Sequence, residues 1–445
     1  MTLPDPRAAR AFRFVGRDYV DGEVRLTYAF DDGPDLVERI GFPGAPQPAP
    51  DRRAAFERAL DLLLLVAGVS YYKAGIPRQL AIEGTLPATP TAALLEDLYR
   101  HGLGEFAWHN RLDLRDRIAF PAVAGDGAAA PALHLPRRTL VPIGGGKDSL
   151  VSVELLKRAG EPATAAWIGT SPLIEACAAR TGLPTLNITR QVSPLLFEYN
   201  RAGAWNGHVP VTAINSAILV VAAILYGYDA IAFSNERSAS SATLEYEGQA
   251  VNHQWSKSWD FERGFGEEVA QRIAADLHYY SLLRPLSELA VAERFARESR
   301  YDAVFSSCNR NFRLLGPKPA DRWCGQCPKC HFVFLALAPF MPKPRLLGIF
   351  GGNLLDQPEL APGFDALLEY RDHKPFECVG EGRESRAALA FLARRAEWRE
   401  DALVERFTTE IRPQLAAGEL ALEPLLVPSG EHRIPAALTA LAECG

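Results

Sequence analysis

The 445-residue sequence contains no apolar run long enough to cross a bilayer. Its most hydrophobic stretch, Val209 to Tyr228, is interrupted by Pro210, Thr212, Asn215 and Ser216, and the unbroken part, Ala217 to Tyr226, suits a buried helix. Nor is there an excess of basic charge. Lys and Arg number 48 against 54 Asp and Glu, a net charge of −6, which argues against a nucleic-acid partner held by bulk charge. The seven cysteines are odd in number and three of them fall within seven residues, so a secreted disulfide framework is not the organising device. Met1 to Phe14 carries Pro4, Asp5 and Pro6 where an export signal needs an apolar core. These absences predict a cytoplasmic protein in a reducing compartment, with no membrane contact.

At roughly 150 residues per domain the length predicts two or three domains. A β-like segment (Glu23 to Phe30), a proline-rich joint (Phe42 to Pro50) and an apolar helix (Asp51 to Val69) suggest an N-terminal α+β domain over residues 1–130. Pro121, Gly125, Gly127 and the run Ala128 to Pro131 mark a linker. Beyond it, short apolar runs alternate with helical stretches: Leu140 to Ile143, helix Asp148 to Ala159, Ala163 to Ile168, helix Leu173 to Thr181, Thr185 to Ile188. With the buried helix Ile214 to Tyr226 and the run Ala230 to Phe233, this predicts an α/β domain over residues 131–345, a parallel sheet with helices on both faces. Residues 346–445 read as a mostly helical extension, with helices at Ser385 to Trp398 and Asp401 to Gln414.

Gly144, Gly145, Gly146, Lys147, Asp148 and Ser149 stand between a predicted strand and a predicted helix. Glycines let backbone N–H groups approach phosphate oxygens, and a helix start adds a positive dipole end. A Walker loop needs Gly at position 141 and Ser or Thr at 148, where this chain has Val141 and Asp148. The loop instead resembles that of the PP-loop ATP pyrophosphatases (HUP-like fold), usually Ser-Gly-Gly-x-Asp-Ser, with Gly144 in place of the first Ser. The resemblance implies that Gly145, Gly146, Lys147 and Ser149 hold the departing pyrophosphate of ATP and that Asp148 helps to organise Mg²⁺.

Cys324, Cys327 and Cys330 form C-x2-C-x2-C, and Cys308 stands 16 positions earlier. Four thiolates suit tetrahedral Zn²⁺ in a closed, structural site. They also suit an iron–sulfur cluster, His331 is an alternative fourth ligand, and the cysteines could be unrelated buried thiols. The one-plus-three arrangement resembles the zinc site of the cyanodeazaguanine synthases, members of the same superfamily.

By the strand-end rule Asn235 and Glu236, just after the run Ala230 to Phe233, should face the nucleotide or the acceptor. Taken whole, the chain resembles the bacterial UDP-N-acetylmuramoyl-L-alanyl-L-glutamate epimerases. That resemblance is carried by Ser70 to Lys73, Gly104-Glu105-Phe106, the Gly144 to Ser149 loop, Ser234-Asn235-Glu236, Asn252-His253-Gln254, the Cys324 cluster and Lys374 to Gly380. It implies ATP-dependent inversion of the terminal L-Glu of UDP-MurNAc-L-Ala-L-Glu, with release of AMP and pyrophosphate. An L-Glu-adding Mur ligase is then the implied pathway partner. The alternatives are an amide- or nitrile-forming synthase of the cyanodeazaguanine type, which needs ammonia, and a zinc module for RNA, which the acidic pI of 5.9 disfavours.

Inversion needs proton removal from one face of Cα and delivery to the other. Glu236, His253 and Cys378 are the candidate proton-transfer groups, Cys378 because His373 and Lys374 precede it and cations favour a thiolate. Tyr71, Tyr72 and Lys73 are candidates for contact with the nucleotide sugar, with core packing as the competing role.

Overall fold

The computed structural model describes residues 3–313 and 316–443. Its centre is one nine-stranded sheet. The strands are β1 (Ala11–Val20), β2 (Glu23–Phe30), β3 (Leu36–Gly41), β4 (Gln79–Ile82), β5 (Thr139–Pro142), β6 (Ala163–Ile168), β7 (Thr185–Gln191) and β8 (Ala230–Phe233), followed by a separate small hairpin, β9 (Leu244–Tyr246) and β10 (Gln249–Val251), and by β11 (His278–Ser281). In space the large sheet runs β11-β8-β5-β6-β7-β3-β2-β1-β4.

From β11 to β7 all neighbours are parallel. Helices Lys147–Arg158, Pro172–Thr181 and Val211–Tyr226 supply the crossovers that parallel pairing requires. The expected runs match closely, Ala163–Ile168 and Ala230–Phe233 to the residue. Successive side chains of a strand point to opposite faces. Leu140, Ile231 and Phe233 join one apolar core with helix Val211–Tyr226, while Val141, Ala230 and Ala232 join a second with helix Lys147–Arg158. Helices therefore cover both faces, as the near-continuous apolar strands predicted.

The sheet does not stop at the linker. β3 pairs antiparallel with β7 through Arg39, Ile40 and Gly41, and β1 and β2 extend the same sheet. Glu38 at the junction is fully buried and accepts from Arg190 Nε at 2.7 Å, so a buried ion pair crosses the seam between the segments expected as separate units. The first core likewise runs from Phe12 to Tyr279. The two segments share a sheet and a core.

Tyr71 and Tyr72 are fully buried, Tyr71 stacking on Tyr28 at 4.8 Å, and Lys73 donates to Asn206 Oδ1 at 2.6 Å. Core packing is what the structure shows for the two tyrosines, and a polar contact for Lys73. In the C-terminal region the helix expected at Ser385 to Trp398 is found at Gly382–Leu392. It starts earlier because Glu381 and Glu384 form a reciprocal capping box, and it ends before Trp398, which turns into the core over Phe334 and under the Lys343 ammonium. The stretch expected as one helix at Asp401 to Gln414 is a short α-helix, Ala402–Arg406, continued by a π turn and a 3-10 turn.

Candidate active site

Chain order decides where the cavity lies. From β5 the chain moves to β6 and β7 on one side and then crosses back to β8 on the other. The loops after β5 and β8 diverge at this switch in strand order, where ligands of open parallel sheets bind. A cavity of about 300 Å³ opens there. From the β5 loop come Gly144, Gly146, Asp148 and Ser149; from the β8 loop come Ser234 and Asn235; Lys257, Ser307, Lys329 and Cys378 close the other sides.

Gly145 sits at φ +83°, a left-handed conformation that side chains other than glycine rarely adopt. Gly146 caps helix Lys147–Arg158 with extended backbone and without a side-chain cap, so the first N–H groups of the helix are left for a ligand. A Cβ on Gly146 would meet Ser307 Cβ at 3.2 Å. Ser149 Oγ donates back to Gly146 O at 3.3 Å, and Asn235 Nδ2 is steadied by Ser281 Oγ at 3.1 Å.

Two expected residues face elsewhere. Lys147 is only 1% exposed, and its ammonium is ion-paired in the interior with Glu288 and Asp148, so it presents backbone and no side chain to the cavity. The reason is charge: Glu288 is itself buried and needs a cation. Glu236 is also buried, and its Oε2 accepts from Ala239 N at 2.7 Å, capping the short turn that follows β8. Burial, followed by the nearby Glu288 and Asp148, pushes its carboxyl up to about 8. Arg284 ties the site together from behind: paired with Glu262, it donates to Glu236 O at 2.8 Å and Lys257 O at 2.7 Å.

The four cysteines converge. Cys327 and Cys330 Sγ lie 3.4 Å apart, Cys324 and Cys330 3.7 Å, and Cys308 and Cys327 3.9 Å. Ligands 2.3 Å from a tetrahedral ion stand about 3.8 Å from one another, so the donor set fits Zn²⁺. His331 turns away: its Nε2 meets Gly325 O at 3.0 Å and its ring stacks on Phe364. Cys308 completes the group instead. Ser307 and Asn309 flank Cys308, and Lys329 lies between Cys327 and Cys330; all three line the cavity. Sequence reasoning missed these three, although their position within the cysteine motif was the available signal.

On the far side, Cys378 Sγ accepts from Lys257 Nζ at 3.1 Å, and the His253 ring lies beside it. Burial alone would raise the thiol, but Lys257 and then His253 overcome it and lower it to about 5. His253 resists its own desolvation through Cys378 and Glu105 and is pushed up to about 9. Both shifts favour the charged forms, thiolate at Cys378 and imidazolium at His253. Glu105, noticed in the sequence only as part of a resemblance, bonds His253 Nδ1 directly.

No helix among the described residues is long and apolar enough to cross a membrane. Comparison with known families matches residues 4–282 to the MurL N-terminal domain and residues 304–421 to the MurL C-terminal domain. A protein from Xanthomonas oryzae pv. oryzae is 60% identical over 441 residues, 98% of both chains. Proteins from a Micromonospora species and from Salinispora tropica are 43% and 42% identical, each over 94% of this chain and over 94% and 92% of their own. All three carry the name UDP-N-acetyl-alpha-D-muramoyl-L-alanyl-L-glutamate epimerase.

Proposed function

The chain belongs to the family of UDP-N-acetyl-alpha-D-muramoyl-L-alanyl-L-glutamate epimerases, and we propose that it inverts the terminal L-Glu of UDP-MurNAc-L-Ala-L-Glu to D-Glu through an acyl-adenylate. The observation that carries this reading is the single cavity shared by the glycine loop and Cys378. A phosphate cradle and a proton-accepting thiolate meet there, and an adenylating epimerase needs both.

A glutamyl Cα–H beside a free carboxylate is very weakly acidic, because its carbanion would stand next to an existing negative charge. In the first step the carboxylate oxygen attacks the α-phosphorus of ATP, and the bond to the bridging oxygen breaks to release pyrophosphate. The loop N–H groups and Ser149 receive the phosphate charge, and Lys257 and Lys329 offset the charge of the incoming carboxylate. The acyl phosphate withdraws electrons from Cα. A drop of roughly six pKa units there would lower the deprotonation barrier by up to about 8 kcal/mol. Cys378 thiolate then takes the Cα proton and becomes a thiol, the electron pair spreads into the acyl group, a proton from solvent reaches the opposite face of Cα, and the thiol returns its proton to solvent. Water cleaves the adenylate into carboxylate, AMP and a proton, which balances the cycle.

Asp148, whose carboxyl Lys147 holds down against its burial, would hold Mg²⁺ against the phosphates, where the ion supplies charge neutralisation. The four thiolates would hold Zn²⁺; with every position filled by protein, that ion supplies structure. The glycine loop at the strand-order switch supports membership of the PP-loop ATP pyrophosphatases, and the six cysteines among the described residues, none in a disulfide, support a reducing, cytoplasmic setting. The substrate has to come from an ATP-dependent ligase that joins L-Glu to the UDP-MurNAc-L-Ala acceptor.

The test incubates purified protein with Mg·ATP and UDP-MurNAc-L-Ala-L-Glu without ammonia, then assays AMP and the chirality of glutamate after acid hydrolysis. D-Glu together with AMP, both lost in Gly146→Ala or Asp148→Asn, is the expected result. AMP without D-Glu moves the acceptor elsewhere, an ammonia requirement returns the chain to amide- or nitrile-forming chemistry, and no AMP with any carboxylate overturns the ATP reading.

A further inference from the structure

Helix Gly104–Asn110 brings Glu105 to the back of the site, 148 residues before His253. The carboxylate is only 12% exposed and is ringed by imidazoles: His253 on Oε2, His208 Nδ1 at 3.5 Å from the same oxygen, and His109 Nε2 at 3.7 Å from Oε1. Glu105, His208 and His253 gather donor atoms within 4.8 Å, the signature of a possible ion site. The His253 ring, however, already bonds Glu105 directly through Nδ1 and neighbours Cys378. The direct contact makes the group a proton-holding cluster.

Its surroundings are built for fixed geometry. Asn252 Oδ1 accepts from Gln254 N at 2.8 Å while its Nδ2 donates to Ala239 O at 2.9 Å, which pins the backbone on either side of His253. Gln254 Nε2 donates to Val379 O at 3.3 Å, and Lys329 Nζ donates to Cys378 O. The His253 and Cys378 segments are thus tied to each other by bonds outside their own side chains.

We propose that Glu105 is a positioning residue which fixes the orientation and the protonated state of His253, so that Glu105, His253 and Cys378 act as one proton-transfer array at the substrate Cα. An ionised carboxylate only accepts, so the nitrogen facing it must carry hydrogen, and the same charge stabilises the imidazolium. The imidazolium in turn keeps Cys378 a thiolate ready to take the proton. This is the carboxylate–imidazole logic of catalytic triads, applied here to a carbon acid. The groups facing Cys378 are Lys257, His253 and Lys329, with Glu377 beside it in the chain; those facing His253 are Glu105, His208, Cys378 and Glu377. Because Lys257 also supports the thiolate, the loss of Glu105 should fall short of the about 10⁴-fold seen when a triad carboxylate is neutralised, on the order of 10²-fold in kcat.

The proposal rests on the epimerase reading, and its experiment separates the two. The full-length protein is alkylated with iodoacetamide across pH 4–10, the modified Cys378 peptide is quantified, and Glu105→Gln and Glu105→Asp are compared with wild type. The wild-type profile should inflect in the acid range, E105Q should move it up by a unit or more, and E105D should restore it in part. Pyrophosphate release in the first turnover should persist in E105Q while D-Glu formation falls. An E105Q alkylation profile identical to wild type, in protein with unchanged circular dichroism, overturns the proposal. If E105Q does not fold, the wild type decides, because a Cys378 inflection at an ordinary thiol value overturns it equally. Failure of wild type to release pyrophosphate with UDP-MurNAc-L-Ala-L-Glu overturns the epimerase chemistry instead and leaves the alkylation result standing.

Discussion

At the four-cysteine cluster each sulfur faces other sulfurs, with neighbours at 3.4 to 3.9 Å, whereas Cys378 faces the Lys257 ammonium at 3.1 Å and the His253 ring. The side chain is the same in both places. Thiolates gathered together repel unless a cation joins them, which makes a site for an ion. A single thiolate among fixed cations has its negative charge compensated and keeps lone pairs beyond the one that accepts from Lys257, which makes a base. Lys329 links the two regions, with its chain position inside the first and its ammonium on the carbonyl of the second.

Replacement of one cluster thiol should have the largest effect. Structural zinc is worth about 10–16 kcal/mol in isolated peptides. Here a buried apolar core shares the work, so Cys327→Ser should lose several kcal/mol, seen as a fall in Tm and loss of bound metal by mass spectrometry. Cys378→Ser should instead keep Tm within a few degrees and lose D-Glu formation by about 10²–10⁴-fold. Equal loss of stability in the two variants would erase the distinction between ion site and base.

The pH profile sharpens the same contrast. Cys378, lowered to about 5, is protonated and inactive below that value, and His253, pushed up to about 9, loses its proton above it. kcat/KM should therefore rise through about pH 5 and fall through about pH 9.

The smallest effect is expected at Glu236. Its carboxyl, raised to about 8 from an ordinary 4.5, is neutral in the folded protein but ionised when unfolded. Its contribution to stability is present below pH 4.5 and is lost as pH rises to about 8. Glu236→Gln should leave stability unchanged at pH 4 and raise it at pH 9, measured by denaturant unfolding at both pH values. A loss of D-Glu formation in that variant, with stability raised, would return Glu236 to the proton-transfer groups.

Local signals carried much of this architecture. The parallel half was legible because each strand buries both faces and each crossover helix has its own apolar stripe, so a few residues in sequence suffice to reveal it. The glycine loop and the cysteine motif were legible for the same reason. What escaped depends on distant partners. Lys147 turns inward for Glu288, 141 residues away, and β3 joins β7 across the whole linker. No window centred on Glu105 contains His208 or His253. The helix at Gly382–Leu392 begins early through a capping box that a periodicity reading starting at Ser385 passed over.

Ser307 and Asn309 flank one cysteine of the cluster, and Lys329 stands between two others, so the cavity wall and the four-cysteine cluster are consecutive stretches of one chain. Two ligands that order the same segment obey reciprocal linkage: whatever factor the ion adds to nucleotide affinity, the nucleotide must add to ion affinity. If the cluster holds an ion and the cavity a nucleotide, a chelator should strip the protein more slowly when ATP is present, and the cell's supply of metal and its supply of nucleotide would register at one site as a single variable.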